Sequence, residues 1–165
     1  MGRQIEDEMN RVMAACATLL TLALAGCGAK PDHEAGAGTD GGHHHEPPHG
    51  GTGIVLGEEE YHVEFVLDAE TGRMRAYILS AHMEGFTRTA AESFSVTANF
   101  PDRKETLTFK AVANNATGET VGDTSQFEAQ ADWLRTNRQF DAVLKALTIK
   151  GRKYENVAFN FPKGN

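Results

Sequence analysis

The feature that most constrains this chain is apolar residues recurring every second position in short blocks, each bounded by turn-forming residues. Tyr61, Val63, Phe65 and Leu67 alternate with His62, Glu64 and Val66; Phe94, Val96, Ala98 and Phe100 alternate with Ser93, Ser95, Thr97 and Asn99. A period of two puts one set of side chains on each face of an extended strand, so these blocks predict half-buried β-strands and not helices.

The same reading extends over residues 54–165. Ile54 to Leu56 opens a first strand, Asp68 to Gly72 supplies a turn, and Met74 to Ser80 returns as a second arm. Pro101 and Asp102 break the chain before Leu107, Phe109, Ala111 and Ala113 alternate again, and Asn114 to Gly122 reads as a polar loop before a short strand at Ser125 to Ala129. Ala146 to Ile149 and Tyr154 to Phe161 flank Lys150-Gly151, where glycine supplies the positive φ of a tight hairpin turn. Asp132 to Leu147 is the exception: Trp133, Phe140 and Leu147 recur every seven residues and Asp132 is placed to cap a helix. The expectation is a short helical turn over 131–136 followed by a strand from about Ala142, with a helix through Leu147 as the rival. About seven strands separated by turns predict an all-β domain, a small antiparallel β-sandwich of immunoglobulin-like kind, with the strand order left open.

Upstream of Gly53 the composition is different. Residues 28–53 read GAKPDHEAGAGTDGGHHHEPPHGGTG and lack large apolar side chains, so they are expected to form a disordered tether. A Gly-rich coil of about 26 residues spans roughly 28 Å root-mean-square. Before it, Val12 to Ala25 is an apolar run too short for a bilayer, whose core takes about 20 apolar residues, but suited to a signal peptide. Glu6, Asp7 and Glu8 are unusual ahead of such a run, whereas a start at Met9 gives the basic Met9-Asn10-Arg11-Val12.

The run ends in Leu24-Ala25-Gly26-Cys27, which resembles the lipobox of bacterial lipoproteins. The resemblance implies cleavage before Cys27, lipidation of that cysteine and a membrane-anchored, extracytoplasmic protein. With Gly28 next, it implies the outer membrane, facing the periplasm, where the host has two membranes. Loss of residues 1–26, with two arginines and three acids, moves the net charge from -7 to -6, which makes nucleic acid an unsuitable partner. The other cysteine, Cys16, leaves with the signal, so no disulfide is expected and the core must hold without one.

All seven histidines fall between residues 33 and 82. His33, His43, His44, His45 and His49 lie in the tether among Asp32, Glu34, Asp40 and Glu46, and His62 and His82 lie in the domain. Neutral imidazole is a common ligand of copper, zinc and nickel, and carboxylates complete such shells, so the pattern points to a transition metal ion. The segment Pro48-His49-Gly50-Gly51, with the strand that follows Glu58-Glu59-Glu60, resembles a stretch of some exported proteins associated with heavy-metal efflux, which implies the same chemistry. His62 and His82 share a face only if the sum of directly paired residue numbers across their hairpin is even. The inward look of Met74, Ala76 and Ile78 favours an odd sum. Met83 is either a soft ligand for Cu(I) or a packing residue.

No phosphate-binding glycine loop, nucleophile elbow or HExxH pattern is present, so an enzyme is not expected. Glu58, Glu59 and Glu60 read as a solvated strand entrance, and Trp133, Tyr61 and Tyr154 as core or as a stacking surface. The expected function is binding of a divalent transition metal, with His43, His44, His45 and His49 as first-contact ligands, in sequestration or delivery to a metal-transport or envelope protein; His62 and His82 either join the site or are hydrogen-bonded surface histidines. The alternative is a structural or interaction module of the cell envelope whose histidines only fill a hydrated linker.

Overall fold

The computed structural model describes residues 46–165. Eight antiparallel strands form one sheet: β1 Thr52–Leu56, β2 Tyr61–Asp68, β3 Arg73–Ser80, β4 Ser93–Asn99, β5 Lys104–Ala111, β6 Gln126–Gln130, β7 Phe140–Ile149 and β8 Arg152–Phe161. The order across the sheet is β1-β2-β3-β6-β5-β4-β7-β8. The chain leaves β3, crosses to β4, and returns through the β4-β5-β6 meander to pair β6 beside β3, a Greek-key arrangement. The described residues are therefore all-β and antiparallel. The faces that pack on one another belong to a single continuous sheet.

That sheet rolls around one core. Phe65 of β2 meets Phe109 of β5 at 5.4 Å and stacks on Phe159 of β8 at 5.1 Å, and Phe94 of β4 packs edge-on against Phe127 of β6 at 5.1 Å. Ile54, Val63, Ile78, Leu107, Leu144 and Ile149, each at most 2% exposed, fill the space between these rings. The first and last strands approach without a ladder between them, and the C-terminal residues bridge the gap. Thr52 Oγ1 donates to Pro162 O at 3.1 Å, Val55 N donates to Asn165 Oδ1 at 2.8 Å, and Asn165 Nδ2 donates to Val55 O at 3.2 Å. Both edges are thereby covered, which removes a template for pairing with other chains.

The segment from Asp132 resolves against the helix. A single 3-10 turn spans Asp132–Arg135, with Ala131 at its N-cap and no side-chain cap, so Asp132 sits inside the first turn and does not cap it. The strand then starts at Phe140, two residues before Ala142, because Phe140 is already part of the core against Trp133 and Phe161. Within β7 the partner of Ser95 is Ala146 and that of Val96 is Leu144, a bulge at Lys145. The extra residue shifts the alternation by one, so Leu147 and Ile149 face the same core as Phe140, Ala142 and Leu144. A three-residue step between Leu144 and Leu147 imitates helical spacing for this reason. At the following turn Lys150 has φ 48° and Gly151 φ 83°, the two positive values of a tight hairpin.

Part of the sheet's outer face is covered. Pro47 and Met83 lie over β1 at Gly53, where a Cβ would stand 2.7 Å from Met83 Cε and 3.3 Å from Pro47 Cγ. Beneath this cover Glu64, His62 and Leu79 are all buried on the face opposite the core. Met83 is thus a packing residue in this structure.

Candidate functional site

Glu64 is the centre of the covered patch. It lies in the middle of β2, paired with Gly53 of β1 on one side and Tyr77 of β3 on the other, and its side chain is 0% exposed. A buried carboxylate requires partners, and three N–H groups meet it. His49 N donates to Oε1 at 2.9 Å, Gly51 N donates to Oε1 at 2.8 Å, and His49 Nδ1 lies 2.8 Å from Oε2. Oε1 accepts two backbone bonds, and an ionised carboxylate, which can only accept, takes the third at Oε2 from the imidazole tautomer that carries its proton on Nδ1. The close approach needs glycine: a Cβ at Gly51 would stand 2.5 Å from Phe65 O. The ordered chain thus begins upstream of residue 54, and His49, read from sequence as part of the tether, is attached to the domain.

The imidazole of His49 is held on a second side. It stacks on the Tyr77 ring at 3.9 Å with 16° between planes, and Phe86 approaches at 5.8 Å. With Nδ1 engaged, Nε2 is the nitrogen left with a lone pair, and among the described residues it has no hydrogen-bond partner. The side chain is 35% exposed. A carboxylate that fixes the proton on one imidazole nitrogen and orients the ring is the usual support of a metal-binding histidine.

His49, Tyr77 and Phe86 form one side of a groove of about 600 Å³ on the outer face, with Gln126 opposite Tyr77 on β6 and Arg88, Asn114, Thr117, Glu119 and Ser125 beyond. Glu119 is a second buried carboxylate, accepting from Ser125 N at 2.8 Å, Ser125 Oγ at 2.6 Å and Thr117 Oγ1 at 2.7 Å. Burial pushes its pKa up, but the hydrogen bonds from Ser125 and Thr117 and the nearby Arg88 guanidinium outweigh this, and the carboxyl lies below its ordinary range. Arg88 is itself held by Asp123 at 3.0 Å and by the Thr117 carbonyl.

The remaining sequence candidates are placed as follows. His43, His44 and His45 lie outside the described residues, as does Cys27. The β2–β3 register pairs Tyr61 with Ser80 and His62 with Leu79, the odd register. His62 is buried, with Nδ1 3.3 Å from Ser80 O. His82 stands exposed in the turn after β3, beyond the last paired residue, so face parity does not extend to it. Among the described residues no three His, Cys, Asp or Glu side chains gather closely enough to hold an ion. Glu58 and Glu59 are exposed as expected, but Glu60 is not merely solvated: it bonds Arg152 and accepts from Tyr154 Oη at 2.8 Å. Burial and that carboxylate push the Tyr154 phenol up to about 12. Trp133 packs edge-on against Phe100 and Phe140 at 5.3 Å, as core and not as a stacking surface.

Glu64 and Tyr77 are the site residues that sequence reasoning missed. The available signal was Gly50-Gly51 directly after His49, which permits the chain to lie against a strand. Comparison of the chain with family profiles, with curated proteins and with solved structures finds no match.

Proposed function

We propose that the protein is a lipid-anchored, extracytoplasmic lipoprotein that binds a divalent transition metal, copper, zinc or nickel, for sequestration or delivery. The observation that carries the reading is the His49–Glu64 pair: Nδ1 engaged at 2.8 Å and Nε2 left for an ion. Only Glu46, Pro47 and Pro48 separate this fixed ligand from His43, His44 and His45. In this reading His49 is the anchored donor and the tract supplies the others, so that part of the ordering cost of a flexible chelator is met before the ion arrives. His62 and His82 are secondary donors at most, since His62 is buried and turned to a backbone carbonyl. Anchoring through Cys27 rests on Leu24-Ala25-Gly26-Cys27, and Cys27→Ser is expected to leave the precursor uncleaved and without lipid.

The experiment is a metal titration of the full-length chain beside His49→Ala and the triple variant His43→Asn, His44→Asn, His45→Asn. Both variants are expected to lose affinity by at least about tenfold. Affinity of the parent should fall steeply between roughly pH 7 and 5, where free imidazoles take up protons. If both variants bind as the parent does, the histidines are a spacer and the protein is better read as an interaction module of the envelope.

A further inference from the structure

We propose that the groove over Tyr77 is a binding site for an uncharged saccharide. Phe86 marks this site, independently of any metal chemistry at His49. This ring is 56% exposed at the lip of the groove, one of two large apolar side chains left exposed among the described residues, the other being Val121 at 58%. Phe86 is not there to fill the fold's core, because it pairs with Leu79 on the outer face. Beside it the Tyr77 and His49 rings, stacked at 3.9 Å, make a second flat wall, with the Phe86 and Tyr77 centroids 6.2 Å apart. Sugar rings present flat C–H faces that suit such aromatic surfaces, with hydroxyl groups around the edge that need donors and acceptors together.

The polar groups of the groove match that edge. The Gln126 side-chain amide makes no hydrogen bond among the described residues, and it offers both a donor and an acceptor beside Tyr77. Asn114 uses its Oδ1 to accept from Ala116 N at 3.1 Å, which leaves its amide N–H groups for a ligand. The charged groups do not compete for the role. Arg88 is committed to Asp123, Glu119 and the Thr117 carbonyl, and Glu119 to Ser125 and Thr117. An anion finds no unshared guanidinium, and Glu119, the groove's carboxylate, is already satisfied, so beyond the His49 imidazole itself the lining suits a neutral ligand with many hydroxyls. The volume of about 600 Å³ is in the range of sites that enclose a small ligand, roughly 300–1,000 Å³.

The test is nuclear magnetic resonance of the full-length chain titrated with three neutral trisaccharides, cellotriose, tri-N-acetylchitotriose and maltotriose, and with glucuronic acid and glucosamine as charged probes. At least one neutral probe should shift the signals of Phe86, Tyr77 and Gln126 with saturable binding below roughly 10 mM. Phe86→Ala should weaken it by about tenfold and Gln126→Ala by about threefold. Because Phe86 is exposed, the spectrum of the variant should be unchanged away from its neighbours His49, Tyr77 and Leu79. The proposal is overturned if no neutral probe moves these signals, if Phe86→Ala binds as well as the parent, or if a charged probe binds more tightly. None of these outcomes depends on whether His49 binds metal, since the titration is made in a chelating buffer.

Discussion

Glu64 holds His49 from beneath: two backbone N–H groups and the imidazole Nδ1 of the segment 49–51 all end on one carboxylate that is 0% exposed. Removing it leaves the His49 and Gly51 amides without their acceptor. Glu64→Ala is expected to cost roughly 2–3 kcal/mol, the scale of hydrogen bonds to a charged group, in urea unfolding of the full-length chain. The amide of Gly51 should lose its protection from hydrogen exchange in the same variant. A loss of stability below about 0.5 kcal/mol, typical of an innocuous surface change, would mean that the segment is held by other contacts.

Asn165 acts as a short length of strand, giving and taking one hydrogen bond with the backbone of Val55. Asn165→Ala removes both. The expected cost is about 1 kcal/mol, since the pair is exposed and uncharged. The more telling readout is association: with the β1 edge opened, the variant should associate more strongly with rising concentration than the parent does in sedimentation measurements. An unchanged sedimentation profile would show that β8 alone protects the edge.

The strands were readable because period-two alternation is local: each of Tyr61–Leu67 and Phe94–Phe100 carries its own pattern. The Lys150-Gly151 turn was readable for the same reason. The strand order was not, because β6 meets β3 only after the chain has made β4 and β5, and no local pattern encodes that closure. The site was half readable. His49 stood out by residue type, but Glu64 lies 15 residues away on the strand face that alternation marks as solvent-facing. That face is buried because residues 47–51 and Met83 fold back over it, and a tether boundary drawn at Gly53 hides the contact. The bulge at Lys145 had the opposite effect, giving Leu144 and Leu147 a helical spacing inside a strand.

Glu119 gives the fold an acid limit. Its carboxyl lies below the ordinary value of 4.5, so the folded state holds the charged form more favourably than the unfolded chain does. That stability is present in full above about pH 4.5 and is lost as pH falls through the lowered folded value. Glu119→Gln should therefore flatten the fall in midpoint denaturant concentration below pH 4.5. It should be less stable than the parent near neutrality. If both proteins lose stability in parallel as acid is added, other carboxylates govern the acid limit.

Phe65 joins distant parts of the sheet, stacking on Phe159 and packing against Phe109 while 1% exposed. Phe65→Ala is expected to cost about 3–5 kcal/mol, a large part of the stability of a domain of this size. Circular dichroism of a folded variant should remain strand-dominated. A cost below about 1 kcal/mol would show that the ring stack does not tie β2, β5 and β8 together.

Whether the imidazole held by Glu64 takes the ion decides the function of the site. The direct measurement is the ¹⁵N resonance of His49 in the full-length chain as zinc is added to one equivalent at pH 7.5. Nε2 is expected to shift stoichiometrically to a metal-bound position, with the proton retained on Nδ1 in its hydrogen bond to Glu64 and the signals of His43, His44 and His45 moving in step. Zinc binding that leaves the Nε2 resonance of His49 where it was, or no binding of zinc, copper or nickel, would contradict the metal-binding reading.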